Sequence, residues 1–369
     1  MQLLCILLLF LLFPSVTLGS PSFQSETIRI ALLKGSESVR LDGNGILATD
    51  EAGEPLRMAF PAELRRSRGG VAVNGRTLRG LKLSAPAFII VNGKSYRGIV
   101  EITPYDKGLL VVNELPLEEY LVGLINCEIS SQWPMEAIKA QAVIARSYAV
   151  YQKESRKNAP YHLESTVIDQ VYEGCDIEDS RAARGVKETA GEVLTYNGAV
   201  IQAFYHSNCG GHTEASENVW GYSLPYLQGV NDKYCQTTNP YYWDQRISLR
   251  KIESQLKVAG YGVSGLRDIR PGVRDESGRL KDVQLTTLRG RVTVPGAAFR
   301  KALGYSVIKS TNFEVRVVGD DAVFKGTGYG HGVGLCQWGA KQRAADGFNY
   351  REILAYYYPG TKLVNLSGD

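Results

Sequence analysis

Glu128 is the acid whose setting in the chain best suits proton-transfer chemistry. It lies in residues 116–151, PLEEYLVGLINCEISSQWPMEAIKAQAVIARSYAVY, whose pattern predicts two helices joined by a short turn. Pro116 suits the first turn of a helix, where its missing N–H costs nothing, and Pro134 opens the second helix in the same way. Leu117, Leu121, Leu124 and Ile125 recur at helical spacing. The second helix carries Ala137, Ala140, Ala142, Ala145 and Ala149, which allow close packing. Glu128 is therefore expected in the turn, beside Trp133, on a rigid support. A carboxyl held among apolar groups has a raised pKa and can act as a general acid. A solvated turn glutamate is the competing reading.

A second group with chemistry is His206-Ser207-Asn208-Cys209-Gly210-Gly211-His212, followed by Cys235. His206, Cys209, His212 and Cys235 make a Cys₂His₂ set of the kind zinc takes tetrahedrally. In an oxidising compartment Cys209 and Cys235 would instead form a disulfide, closing a loop worth roughly 3 kcal/mol. The disulfide is slightly preferred, so no cofactor is required and a structural zinc is the alternative. Cys127 and Cys336 read as small buried residues, with cleft lining as the alternative, and Cys175 has no obvious partner.

Several ordered stretches resemble the stage II sporulation protein D family, also called the amidase-enhancer family. They are Leu115-Pro116-Leu117-Glu118-Glu119-Tyr120-Leu121, Glu128, Trp133-Pro134, Lys139-Ala140-Gln141-Ala142 and Ala145-Arg146-Ser147-Tyr148-Ala149. Later come Gln170-Val171-Tyr172-Glu173-Gly174, Tyr205-His206-Ser207, Asn218-Val219-Trp220-Gly221, and Gly328-Tyr329-Gly330-His331-Gly332-Val333-Gly334. The resemblance spans roughly residues 28–365. It implies action on the glycan strands of bacterial cell walls, with the acid at Glu128 catalytic in lytic members.

Glycan can be cut by a hydrolase with two carboxyls, or by a lytic transglycosylase with one. One acid in a matching motif favours the second route, although Asp169, Glu173 and Glu217 lie near in the motif map. The implied reading is a peptidoglycan lytic transglycosylase acting on peptide-stripped strands. The alternatives are a non-catalytic binder that enhances a partner amidase, and a metal-dependent amidase using the Cys/His group. Arg146 is the candidate for the substrate's lactyl carboxylate, with a buried ion partner as its other reading. Tyr148, Gln170, Tyr172 and Gln337 are further candidate substrate contacts. The run 328–334 has no Lys-Ser/Thr after it and is not a phosphate loop. Glycines at alternate positions are expected to bare one side for a sugar chain, with Tyr329, Gly330, His331 and Gly332 as contacts and Trp338 as a stacking face. A tightly packed bend is the alternative.

The elements that must position these groups read as α+β: a β-rich N-terminal part, a central helical hairpin packed on a mixed sheet, and a single composite cleft. Residues 27–113 are short β-branched runs cut by Gly, Asn and Asp. Asn92-Gly93 and Asn197-Gly198 are hairpin signals. STVID at 165–169 and AVIQAFYH at 199–206 read as strands, 250–258 and AAFRKAL as helices, and 335–358 as helical, broken at Gly347. Residues 21–85 are expected to form an accessory β-rich segment and 86–365 the glycan-active domain.

Residues 1–20, MQLLCILLLFLLFPSVTLGS, read as a signal peptide: the apolar core is too short to span a bilayer comfortably and small residues follow it. The expected location is the periplasm, cell envelope or medium, with an uncleaved N-terminal anchor as the alternative because no Lys or Arg precedes the core. The net charge of +4, from 42 basic and 38 acidic residues, is too balanced for a nucleic-acid partner. The expected partners are glycan strands and a cell-wall amidase.

Overall fold

The computed structural model describes residues 26–236 and 241–366, so the expected leader lies outside the described residues. Thr27–Ser36 runs antiparallel to Gly108–Pro116, which pairs in turn with Ile99–Tyr105. These strands belong to a seven-stranded sheet that also takes in Leu81–Ser84, Leu47–Asp50, Pro55–Leu56 and Leu163–Glu164. A six-stranded sheet runs from Lys94–Tyr96 to Arg76–Leu78. Both sheets share one apolar core, including Ile30, Leu41, Leu83 and Val111. The expected boundary at residue 85 thus falls between two strands, Leu81–Ser84 and Ile99–Tyr105, that are hydrogen-bonded neighbours in one sheet. The accessory segment and the domain after it are one folded unit there.

Helices α1 (Leu117–Glu128) and α2 (Met135–Ser155) follow directly from that sheet. Pro116 and Pro134 stand one place before the first helical residues, with extended ψ of 137° and 139°. Fourteen residues of α2 are buried, more than one amphipathic face can supply. Ile138, Ala142, Ala145 and Ala149 pack into the first core. Ala140, Val143 and Ile144 face a second core, with Leu194, Leu335 and Ile353. The alanines let α2 lie between two apolar layers.

Helix α3 (Ser180–Glu188) packs on α2, and α4 (Ser216–Trp220) is a single short turn. Residues 242–327 carry two three-stranded sheets with α5 (Leu249–Val258) and α6 (Gly296–Leu303). They enclose a third core that includes Trp243, Ile252, Leu285 and Phe324. Helices α7 (Gln337–Ala345) and α8 (Tyr350–Tyr357) end the second core, separated at Gly347, whose φ is 96°. Among the described residues, no helix is long and apolar enough to cross a membrane.

The α+β class is as expected, and both Asn-Gly hairpins form, with φ of 49° and 85° at Asn92 and Gly93 and 50° and 81° at Asn197 and Gly198. The strand expected at 165–169 is not formed. Asp169 turns inward to Arg156, Tyr148 and the Glu164 N–H, and Asp169 N bonds Thr166 O, so the segment closes as a turn. Of 199–206, only Ala199–Val200 and Tyr205–His206 are strand.

Candidate active site

Glu128 is the last residue of α1, one step earlier than the expected turn. The turn after it is clamped to the start of α3. Asp179 caps α3 by accepting from the N–H groups of Arg181 and Ala182, and it also accepts from Asn126 Nδ2 and from Ser131 Oγ. Arg181 donates to the carbonyls of Ser131 and Trp133 at 2.7 and 2.9 Å. Asp179→Ala is expected to lower stability by about 1–2 kcal/mol, the loss of a helix cap together with its turn contacts. Urea denaturation measures it, and an unchanged midpoint would remove Asp179 from the support of Glu128.

The Glu128 carboxyl is partly buried. It accepts from Val171 N–H at 3.3 Å and hydrogen-bonds Tyr205 and Gln337. These three partners are neutral. Burial pushes its pKa up to about 7, and the three hydrogen bonds limit the rise. The C-terminal end of α1 adds no compensation, because its last turn carries no basic residue and the helix dipole disfavours an anion there.

The parallel pairing of Tyr205–His206 with Leu335–Cys336 sets Tyr205 and Gln337 side by side against this carboxyl. Gln170 Nε2 donates to Tyr205 Oη at 3.3 Å, leaving the phenol proton for Glu128, while Gln170 Oε1 accepts from Tyr120 at 3.0 Å. Gln337 also contacts Gln141 at 3.4 Å. Phe204, just before Tyr205, stacks on Trp220 with centroids 4.2 Å apart, and Trp220 continues to Tyr222. Trp220 and Tyr222 are exposed. Trp133 and Trp338 meet at 5.1 Å with Lys341 over both rings.

Family comparison reports two matched stretches. Residues 105–196 match "Stage II sporulation protein", and 224–334 match "Domain of unknown function (DUF8618)". An uncharacterized protein of Brachyspira hyodysenteriae is 34% identical, with 81% of each chain covered. Stage II sporulation protein D of Bacillus subtilis is 30% identical, over 72% of this chain and 79% of that one. The chain belongs to the stage II sporulation protein D family. The amidase enhancer of Bacillus subtilis is 32% identical over 66% of this chain, which spans only 40% of that relative's length.

Within the stretch shared with the stage II sporulation proteins lie Glu128, Gln141, Gln170 and Val171. Tyr205 and Gln337 are brought in from outside it. The second matched stretch takes in the third core.

Several sequence expectations are corrected by these positions. Arg146 is fully buried and makes a two-pronged ion pair with Glu118 at 2.7 and 2.8 Å, with further bonds to the carbonyls of Glu192 and Val186. It holds α1, α2 and α3 together and is buried out of a substrate's reach. Tyr148 is buried and its hydroxyl donates to Asp169 at 3.0 Å. Tyr172 is buried between Tyr96 and Tyr120. Gln170 is buried and acts on Tyr205 from behind.

The glycines of 328–334 do not bare a surface for a ligand. A Cβ on Gly332 would lie 2.5 Å from the Arg279 guanidinium carbon, one on Gly334 1.9 Å from Phe204 O, and one on Gly330 2.7 Å from His206 Cβ. The glycines face protein, and their role is close backbone approach. Tyr329 exchanges backbone hydrogen bonds with Asn208. His331 packs against Phe204 and Trp220, and burial with Arg300 and Arg279 nearby presses its pKa to about 3, so it is neutral.

The Cys₂His₂ set is not assembled. His206 bonds Val333 O through Nδ1, and His212 bonds Thr213 O at 2.6 Å. Cys209 and Cys235 do meet, with sulfurs 3.2 Å apart and not covalently joined, but their neighbours are Cys336 and Asp232. Sequence reasoning left Tyr205, Gln141 and Asp232 without roles and read Cys336 only as a small buried residue or cleft lining. Tyr205 and Gln141 stood inside matched motifs, which is the signal that could have found them.

Proposed function

We propose that the protein is an exported lytic transglycosylase of cell-wall glycan, with Glu128 as general acid and then base. The observation that carries this is a carboxyl held near neutral pKa by burial, whose hydrogen-bond partners among the described residues are neutral. Glu128 gives its proton to the glycosidic oxygen as the bond from C1 to that oxygen breaks. The C6 hydroxyl oxygen of the same sugar closes on C1, and its proton returns to Glu128. The product carries a 1,6-anhydro ring, no water is consumed, and the acid is regenerated.

A single carboxyl suits this route. Asp169 is tied to Arg156 at 2.8 Å and nearly enclosed, Glu173 pairs with Lys94 at 3.0 Å, and Glu217 is exposed on α4. Tyr205, Val171 N–H and Gln337 stabilise the carboxylate that forms when the proton leaves. The exposed rings of Trp220 and Tyr222, with Val167 and Ile168 exposed on the 165–169 turn, offer apolar faces for sugar rings.

A second reading, a glycan-binding enhancer of a wall amidase, is favoured by the name of one relative. The metal-dependent amidase loses its support, because the cysteine cluster is enclosed and offers no face to a substrate. Mass spectrometry of products from purified peptide-free glycan separates the readings. Anhydro ends support the transglycosylase, reducing ends make it a hydrolase, and intact strands make it a binder.

The rate should follow the protonated fraction of Glu128, constant at acid pH and falling as pH rises through about 7. Tyr205 hydrogen-bonds the carboxylate and so holds this pKa down. Tyr205→Phe is therefore expected to move the falling limb to higher pH and to slow cleavage about tenfold, one charge-assisted hydrogen bond being worth about 1.5–3 kcal/mol. A limb that moves to lower pH would contradict the assignment.

A further inference from the structure

Three cysteines from distant parts of the chain converge on one aspartate. Cys209 Sγ, Cys235 Sγ, Cys336 Sγ and an Asp232 carboxylate oxygen all lie within 4.8 Å of one another. All four residues are fully buried. Cys209 Sγ stands 3.2 Å from Cys235 Sγ and 3.4 Å from Asp232 Oδ2. Zinc with sulfur at about 2.3 Å and oxygen at about 2.0 Å sets tetrahedral ligand separations of about 3.5–3.8 Å. Side-chain shifts of up to about 1 Å would bring all four groups to those separations. We propose that Cys209, Cys235, Cys336 and Asp232 hold a structural zinc ion.

The local folding of each segment builds the site. Asp232 and Cys235 lie three apart on one 3₁₀ turn, Lys233–Cys235, so both project to the same side. Cys209 precedes Gly210 and Gly211, whose φ of 78° and 108° turn the loop back over it. Cys336 is the N-cap of α7. The strand pairing of His206 with Cys336 fixes the distance between the Cys209 loop and α7.

Donors already surround the sulfurs as they surround metal-bound thiolates. Cys336 Sγ accepts from the N–H groups of Cys209 at 3.2 Å and Gly339 at 3.3 Å. Cys235 Sγ accepts from the N–H groups of Gly210 and Gly211. Asp232 is oriented through both oxygens, by Tyr234 N–H at 3.0 Å and the Tyr357 hydroxyl at 2.9 Å. Three thiolates, one carboxylate and Zn²⁺ sum to −2. These N–H and O–H dipoles, with the Arg279 guanidinium 2.8 Å from Cys209 O, offset that charge. A disulfide between Cys209 and Cys235 would use two of the four groups and leave a buried carboxylate beside a lone thiol.

The ion would join the Cys209 loop, the 232–235 turn and α7 at one point. Gln337 follows Cys336 directly and Tyr205 stands four residues before Cys209. Both hydrogen-bond Glu128, so the site anchors the two side chains that hold the acid.

The test is metal analysis of the full-length chain purified without added chelator. About one zinc per chain is expected, with three thiols that react with a mercurial in step with zinc release. Cobalt exchanged into the wild-type protein should show thiolate charge-transfer and tetrahedral d–d bands. These readings need no variant to fold. Cys336→Ser and Asp232→Asn should weaken metal affinity at least about 10–100-fold, whereas His206→Ala and His212→Ala should keep the metal. Metal-free protein in which peptide mapping finds Cys209 linked to Cys235 would overturn the proposal. So would a metal that survives Cys336→Ser but is lost with either histidine.

Discussion

Replacing Glu128 by Gln is expected to slow glycan cleavage by about 10²–10⁴-fold, the usual loss with a general acid. Glycan binding should be nearly unchanged, because Gln keeps the shape and its carbonyl oxygen can still accept from Val171 N–H. The same substitution carries a stability signature. In the fold the carboxyl titrates near 7, against an ordinary 4.5. The folded state therefore holds the proton more tightly than the unfolded chain, and wild-type stability declines as pH rises across that window. The Gln variant has no such decline. Its stability relative to wild type should rise by up to about 3 kcal/mol between pH 4.5 and 7 and stay level above. Turnover measured on peptide-free glycan and urea denaturation at pH 5 and 8 check both halves. A Gln variant that cleaves at the wild-type rate removes Glu128 from the chemistry, and a pH-independent stability difference removes the raised pKa.

Arg146→Ala is expected to cost about 3–5 kcal/mol of stability, the loss on breaking a buried ion pair. The partner Glu118 is left at the start of α1, and the carbonyls of Glu192 and Val186 lose their donor. Arg146→Lys should cost nearly as much, because a point charge cannot bridge both Glu118 oxygens and reach Glu192 O as well. In the fraction that remains folded, glycan affinity should match wild type. A folded variant with specifically weakened glycan binding would return Arg146 to the substrate.

Much of the frame was legible because it rests on local rules. The helices at 117–128 and 135–155, the hairpins at Asn92-Gly93 and Asn197-Gly198, and the break at Gly347 follow from apolar spacing, prolines at the helix starts and backbone conformational preference, all short-range in sequence. Glu128 was legible as the candidate acid because its motif and the turn after it lie in one continuous stretch. The strand expected at 165–169 failed because β-branched residues mark only a local preference. A charged side chain 13 residues away, Arg156, captured Asp169 and closed the turn.

What the tertiary structure decided was which groups meet. Arg146 and Glu128 lie on adjacent helices, yet α2 turns Arg146 toward Glu118 and away from the acid, and no spacing rule states that direction. The alternate glycines suggested a bare surface, but the side they bare is occupied by Arg279, His206 and Phe204, which come from other segments. His206 and His212 sit at ligand-like spacing from Cys209, while the groups that reach its sulfur are Asp232, Cys235 and Cys336, the last more than a hundred residues away. Sequence by itself determined the candidate acid, the helices around it and the family to which the chain belongs. Packing decided its neutral surroundings, because burial and hydrogen-bond partners arise only when Gln170, Tyr205 and Gln337 arrive from three separate parts of the fold.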